Sequence, residues 1–151
     1  MSKLDIMYHH NSDEWETPQD LYDELDREFH FTLDPCCSEE NRKCTKYFTK
    51  AENGLMQSWG GQTVFCNPPY SQAAQWVEKA AGENATTVML LVSRTDTRWF
   101  HKYIYHRAEI RFIKGRLKFS GAKNSAPFPS MIVIFRNMET KEAAGAKKNI
   151  H

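Results

Sequence analysis

The sequence predicts an α/β fold, a doubly wound sandwich built as one minimal domain. Two observations carry this. The apolar runs Val64-Phe65-Cys66, 86–92 (TTVMLLV) and 130–135 (SMIVIF) are continuous rather than alternating. Such runs suit strands covered on both faces, and hence a parallel sheet. Between them lie segments with apolar residues at helical spacing, so strand, loop and helix recur along the chain.

Order is expected from Trp15. Thr17-Pro18 reads as an N-cap followed by proline in the first helical position, with Asp20, Asp23 and Glu24 at the positive end of that helix. Leu21, Tyr22, Leu25 and Phe29 form its apolar stripe. Residues 31–34 make a short strand closed by Asp34-Pro35, and the polar stretch 39–53 has room for a second strand at Tyr47-Phe48. After the strand over 62–66, Ser71 is placed to cap a helix carrying Ala74, Trp76, Val77 and Ala80 and ending near Gly82. The strand over 86–92 follows. Trp99, Phe100, Tyr103 and Ile104 then fall at helical spacing, two strand-like pieces flank Gly115, and 130–135 is the last strand. Residues 1–14 read as a flexible arm, 15–137 as the folded domain, and 138–151 as a frayed or disordered tail without core residues.

Length allows one full core and leaves no room for a second recognition domain of similar size. A net charge of +1 over 151 residues neither supports nor refutes a nucleic-acid partner, because a basic face can hide in a balanced total. No signal-peptide pattern or membrane-length apolar run is present, so a cytoplasmic protein is expected. Cys36, Cys37, Cys44 and Cys66 lack Cys-x-x-Cys spacing and are expected to be reduced thiols, with no metal site.

The most informative motif is Asn67-Pro68-Pro69-Tyr70, at the end of an apolar strand. An exocyclic amine on an aromatic base is a poor nucleophile because its lone pair is delocalised. The Asn67 side-chain oxygen and the Pro68 carbonyl can each accept one amine hydrogen and aim the lone pair at a methyl donor. Prolines fix φ and hold these acceptors rigid. The Tyr70 ring offers a stacking face, worth roughly 1–3 kcal/mol per base in single-strand binders. Trp15, Trp99 and Phe128 are candidate second stacking surfaces, with core packing the competing role for each.

The tetrapeptide resembles the Asn/Asp-Pro-Pro-Tyr/Phe signature of amino-methyltransferases that use S-adenosylmethionine. Together with Trp15-Glu16-Thr17-Pro18, residues 31–35, Asn53-Gly54-Leu55, 93–97, 112–116 and 126–130, it resembles the compact phage-type DNA N6-adenine methyltransferase (Dam-like) family from about Trp15 to Arg136. The resemblance implies a Rossmann-like methyltransferase sheet, S-adenosylmethionine as cofactor, DNA as partner and a host cytoplasm as location. It implies that Thr17-Pro18 lies at the cofactor carboxylate. Asp34 is suited to the cofactor's ammonium, and backbone N–H groups after Pro35 to its carboxylate. Cys36, Cys37 and Ser38 stand where wider relatives carry glycines, and Asn53 where relatives carry an Asp that receives the cofactor's adenine amine.

An adenine inside a duplex must be extruded, or a single strand used, before its amine can be reached. Arg94, Arg98, Arg111, Lys114, Arg116, Lys118 and Lys123 concentrate positive charge late in the chain, and Arg94, Arg98, Lys114, Arg116 and Lys118 are the candidate phosphate contacts. RNA bases or protein glutamine as acceptors, and a non-catalytic DNA-binding module on the same fold, stay open as alternatives.

Overall fold

The computed structural model describes residues 13–137. The expected tail over 138–151 lies outside the described residues, as does the expected arm except for Asp13 and Glu14. Those two are held: Asp13 Oδ1 accepts from the Ser71 N–H at 2.7 Å, and Glu14 pairs with Lys50 at 3.2 Å.

Among the described residues six strands form one sheet. They are β1 (Leu33–Asp34), β2 (Lys46–Tyr47), β3 (Thr63–Cys66), β4 (Thr86–Val92), β5 (Glu109–Phe112) and β6 (Ser130–Phe135), in spatial order β2-β1-β3-β4-β6-β5. The first four are parallel neighbours, whereas β6 runs antiparallel to both β4 and β5. The sheet is therefore mixed, and the parallel setting expected for 86–92 holds only on its β3 side. A run buried on both faces reports coverage by helices and loops, not the direction of its neighbour.

Alternation along the strands builds two cores. Val88, Leu90, Ile132 and Ile134 face helix α1 (Gln19–Phe29) through Phe65, Tyr22 and Leu25. Met89, Leu91, Met131, Val133 and Phe135 face helix α2 (Ala73–Gly82) and a π-helical turn over Phe100–Ile104. Burying each such side chain contributes about 1.5–3 kcal/mol. The aromatics at 99–104 thus do what their spacing implies, on a wider turn than the α-helix expected.

Three local expectations are corrected. Helix α1 begins at Gln19 with Pro18 as its uncapped N-cap residue, and the Thr17 hydroxyl instead accepts from Asn67 Nδ2 at 2.9 Å. Ser71 lies in a 3-10 turn (Tyr70–Gln72), so α2 starts at Ala73, Ser71 caps nothing, and Ala74 is exposed. Only one strand, β5, forms around Gly115. The chain turns there with Gly115 at φ 76°, and residues 113–129 run as a loop over the α1 face.

Strand β1 has β2 on one side and β3 on the other, so the strand order reverses between β1 and β3. In open α/β sheets that reversal leaves a crevice at the strands' carboxyl ends. Asp34 and Asn67 stand at those ends.

Candidate active site

Two cavities open there. The larger, about 730 Å³, is walled by Thr17, Asp34, Pro35, Cys36, Asn53, Gly54 and Pro69 among others. It has the size of an ordinary small-molecule site, roughly 300–1,000 Å³. The smaller, about 260 Å³, is walled by Pro68, Tyr70, Arg94, Trp99, Phe119, Phe128 and Ser130 among others. Among the described residues, only Trp15 and Asn67 line both cavities.

Asn67 is fixed in one orientation. Its Nδ2 donates to the Trp15 carbonyl and to Thr17 Oγ1. Both amide hydrogens are consumed, so the amide cannot flip, and Oδ1 is left without a partner among the described residues. Pro69 contributes its carbonyl to the Gln72 N–H at 3.0 Å, while the buried Pro68 keeps its carbonyl unengaged among the described residues. Two unused acceptors, Asn67 Oδ1 and Pro68 O, therefore adjoin in sequence at the wall between the cavities.

The smaller cavity is an aromatic box. Tyr70 meets Phe128 edge-on at 4.9 Å, and Trp15 meets Phe128 at 5.3 Å and Phe119 at 5.4 Å. Burial pushes the Tyr70 phenol up to about 12, partly opposed by nearby Arg94, so the ring is neutral. Trp15, Trp99 and Phe128 thus wall a cavity as well as pack. Phe119 was not visible as a site residue from the sequence: it lies in a loop with no periodicity to point it inward.

Asp34 is buried at the floor of the larger cavity. Its Oδ2 accepts from the Lys43 N–H at 3.0 Å and its Oδ1 from the Cys36 N–H at 3.4 Å. Burial dominates over these bonds and raises the carboxyl to about 6. Burial likewise pushes the Cys37 and Cys66 thiols up, and Cys44 up to about 11, so these thiols stay protonated at neutral pH. All four cysteines are free, and among the described residues no group of three or more His, Cys, Asp or Glu could hold a metal ion.

The backbone donors expected after Pro35 are already engaged, which corrects that expectation. Cys36 N–H serves Asp34, Cys37 N–H serves the Phe48 carbonyl at 3.3 Å, and Ser38 N–H serves Asn41 Oδ1 at 2.7 Å. Thr17 is better placed: its hydroxyl oxygen accepts from Asn67, leaving its own hydrogen to donate toward the larger cavity. Pro18, buried at the start of α1, lines neither cavity. Asn53 takes the αL conformation at φ 55° and its Oδ1 receives the Leu55 N–H at 3.3 Å. Gly54 beside it was not singled out for packing. A Cβ there would lie 2.1 Å from the Pro35 carbonyl oxygen, so glycine alone lets this loop close on the end of β1.

Of the basic residues, Arg94 lines the smaller cavity, and Arg98 is exposed at the start of the helical segment that leads into Phe100–Ile104. Lys114, Arg116, Lys118 and Lys123 are exposed on the loop that delivers Phe119 and Phe128. Arg111 does not belong with them. It grips Glu28 through two bonds of 2.7 and 2.8 Å and Glu109 at 2.6 Å, so its charge is spent within the sheet edge.

A doubly covered α/β sheet whose crevice at the switch point is divided by a wall with unengaged acceptors, among the described residues, is an architecture that suits a group-transfer enzyme of the methyltransferase class. Comparison with known proteins agrees. The family described as DNA N-6-adenine-methyltransferase (Dam) matches residues 6–150. A DNA N-6-adenine-methyltransferase of Haemophilus phage HP1 (strain HP1c1) is 30% identical over 151 residues, covering 92% of this chain and 86% of its own. A protein of the same description from Escherichia phage T1 is 34% identical over 110 residues, covering 70% of this chain and 46% of its own. The chain belongs to the DNA N-6-adenine-methyltransferase family. No helix among the described residues is long and apolar enough to cross a membrane.

Proposed function

We propose that the chain transfers a methyl group from S-adenosylmethionine to N6 of an adenine in DNA, with the target base flipped from a duplex or presented on a single strand. The observation that carries this is the position of Asn67 on the wall shared by the two cavities, with both amide hydrogens tied and its oxygen unengaged among the described residues. The larger cavity takes the cofactor and the aromatic box takes the base.

The donor set fits this cofactor. Asp34 supplies a buried carboxylate for the ammonium, the Thr17 hydroxyl a donor for the carboxylate, and Asn53 a polar group for the far end, while Pro35 and Cys36 shape the wall. When bound, S-adenosylmethionine supplies an electrophilic methyl on a positively charged sulfur. The chain's part is alignment. Asn67 Oδ1 and Pro68 O each accept one hydrogen of the adenine amine, drawing the nitrogen toward tetrahedral so that its lone pair points through the shared wall. These contacts strengthen as the nitrogen takes up positive charge, so they favour the transition state over the ground state. Pro69 fixes the turn, and Tyr70 holds the ring plane against Phe128. The methylated amine then sheds one proton. Arg94, Arg98, Lys114, Arg116 and Lys118 bind phosphates on either side of the cavity mouth.

The test is incubation with methyl-labelled S-adenosylmethionine and equal amounts of DNA, RNA and protein acceptors. Label on N6 of adenine in DNA is the expected result; label in RNA or protein only, or none, overturns the reading.

Asp34 adds a pH dependence. Because its folded pKa is raised to about 6, the ligand-free fold gains stability from its protonated form near pH 4 and below, and loses that gain as pH rises through 6. Cofactor binding has the opposite slope, since a cationic ligand needs the carboxylate. Calorimetry is therefore expected to show affinity rising from pH 5 to 7, with Asp34→Asn flattening the profile; an unchanged slope in that variant would remove Asp34 from the cofactor site.

A further inference from the structure

Four buried side-chain polar atoms lack a hydrogen-bond partner among the described residues: Trp15 Nε1, Thr87 Oγ1, Ser93 Oγ and Ser130 Oγ. Such atoms are rare in folded proteins and call for an explanation. Two of the four, on Trp15 and Ser130, belong to residues that wall the smaller cavity.

Ser130 is only 2% exposed and opens β6 opposite Val92 of β4. Two and four residues on, on the same face, Ile132 and Ile134 fill the core beneath Phe119. An apolar side chain would satisfy this position if packing were its whole purpose. Ser130 nonetheless carries a hydroxyl and is itself one of the residues that wall the aromatic box. Trp15 has its ring clamped by Phe119 and Phe128 and its carbonyl held by Asn67, so its indole N–H has one fixed direction. That group can only donate, and the serine hydroxyl can also donate.

We propose that Ser130 Oγ and Trp15 Nε1 are the specificity-determining donors that read ring nitrogens of the target base. This rests on the adenine-methylation reading above. Once its amine is taken by Asn67 and Pro68, an adenine ring offers only acceptors, N1, N3 and N7. Guanine places a donor at N1, so a donor set against that position conflicts with it. Cytosine has no atom corresponding to N7. Two donors in an aromatic slot therefore complement adenine on the edges that Asn67-Pro68-Pro69-Tyr70 does not touch.

The test uses oligonucleotides carrying adenine, 1-deaza-adenine, 3-deaza-adenine or 7-deaza-adenine at the methylated position, with wild type, Ser130→Ala and Trp15→Phe. Each analogue replaces one acceptor nitrogen by C–H. A donor left buried and unpaired costs enough to slow the reaction about tenfold. Wild type is expected to lose about tenfold in kcat/KM on two of the analogues, Ser130→Ala to become indifferent to one of these and Trp15→Phe to the other. Comparing variants on one analogue cancels that analogue's intrinsic reactivity. Indifference of wild type to all three analogues overturns the proposal, and a variant that keeps the full wild-type penalties removes its residue as a reader. The wild-type arm needs no variant to fold. Absence of methylation on ordinary adenine would instead sink the underlying reading, and this inference with it.

Discussion

Asn67→Ala is expected to slow methyl transfer by about 10²–10³-fold, the usual cost of removing one fixed group that stabilises charge developing in the transition state. The loss should fall on kcat, because the amine contacts strengthen only as the nitrogen becomes cationic. Asn67→Asp should fall between. It keeps an acceptor, and the Thr17 hydroxyl can turn to donate to it, but the Trp15 carbonyl then faces an oxygen it cannot bond. Single-turnover rates with saturating DNA and S-adenosylmethionine check this. Full activity of Asn67→Ala would end the role assigned to the amide.

Gly54→Ala should be the most damaging change outside Asn67-Pro68-Pro69-Tyr70. Its Cβ would meet the Pro35 carbonyl oxygen at 2.1 Å and the Pro35 Cβ at 3.2 Å, and the obstacle is mostly backbone at the end of β1. The Gly54 carbonyl also receives the indole N–H of fully buried Trp59 at 3.0 Å, so the loop cannot retreat without stranding that donor. Overpacking of this kind costs about 3 kcal/mol or more. That corresponds to a melting temperature lower by roughly 6–12 °C for a chain of this size. Cofactor affinity should drop with it, since Pro35 and Asn53 wall the same cavity. Gly82→Ala is the control. Nothing lies within 4 Å of its added Cβ, at the end of α2, and the exchange should be neutral or slightly stabilising. Equal melting of the two variants would refute the packing argument.

Features set by neighbours in sequence were legible before any coordinates. Strands β4 and β6 announced themselves as continuous apolar runs because both of their faces are covered. The rigid turn at Pro68-Pro69 announced itself because two prolines dictate their own geometry. What sequence concealed depends on partners far along the chain. Thr17 read as a helix cap because the residue that occupies its hydroxyl lies 50 positions away. Arg111 read as a free cation because Glu28, 83 positions earlier, cannot be paired with it by inspection. Gly54 looked like an ordinary turn residue, since nothing in its surroundings reveals the carbonyl pressed against it. The donors after Pro35 looked available for a ligand because their acceptors, Phe48 and Asn41, sit on a loop whose return path is not encoded in any periodicity.

The segment Trp15-Glu16-Thr17 is stitched to Asn67 on one side and to Ser120 on the other, with the Glu16 carbonyl receiving the Ser120 N–H at 3.0 Å and the Thr17 carbonyl the Ser120 hydroxyl at 3.2 Å. Three stretches separated by 50 and 103 positions thus share one set of bonds. Of these bonds only the one between Thr17 and Asn67 joins two side chains, so an exchange at Thr17 that cannot accept from an amide forces a matching exchange at Asn67. Thr17 and Asn67 should be inherited as a pair across the family, changing together or not at all.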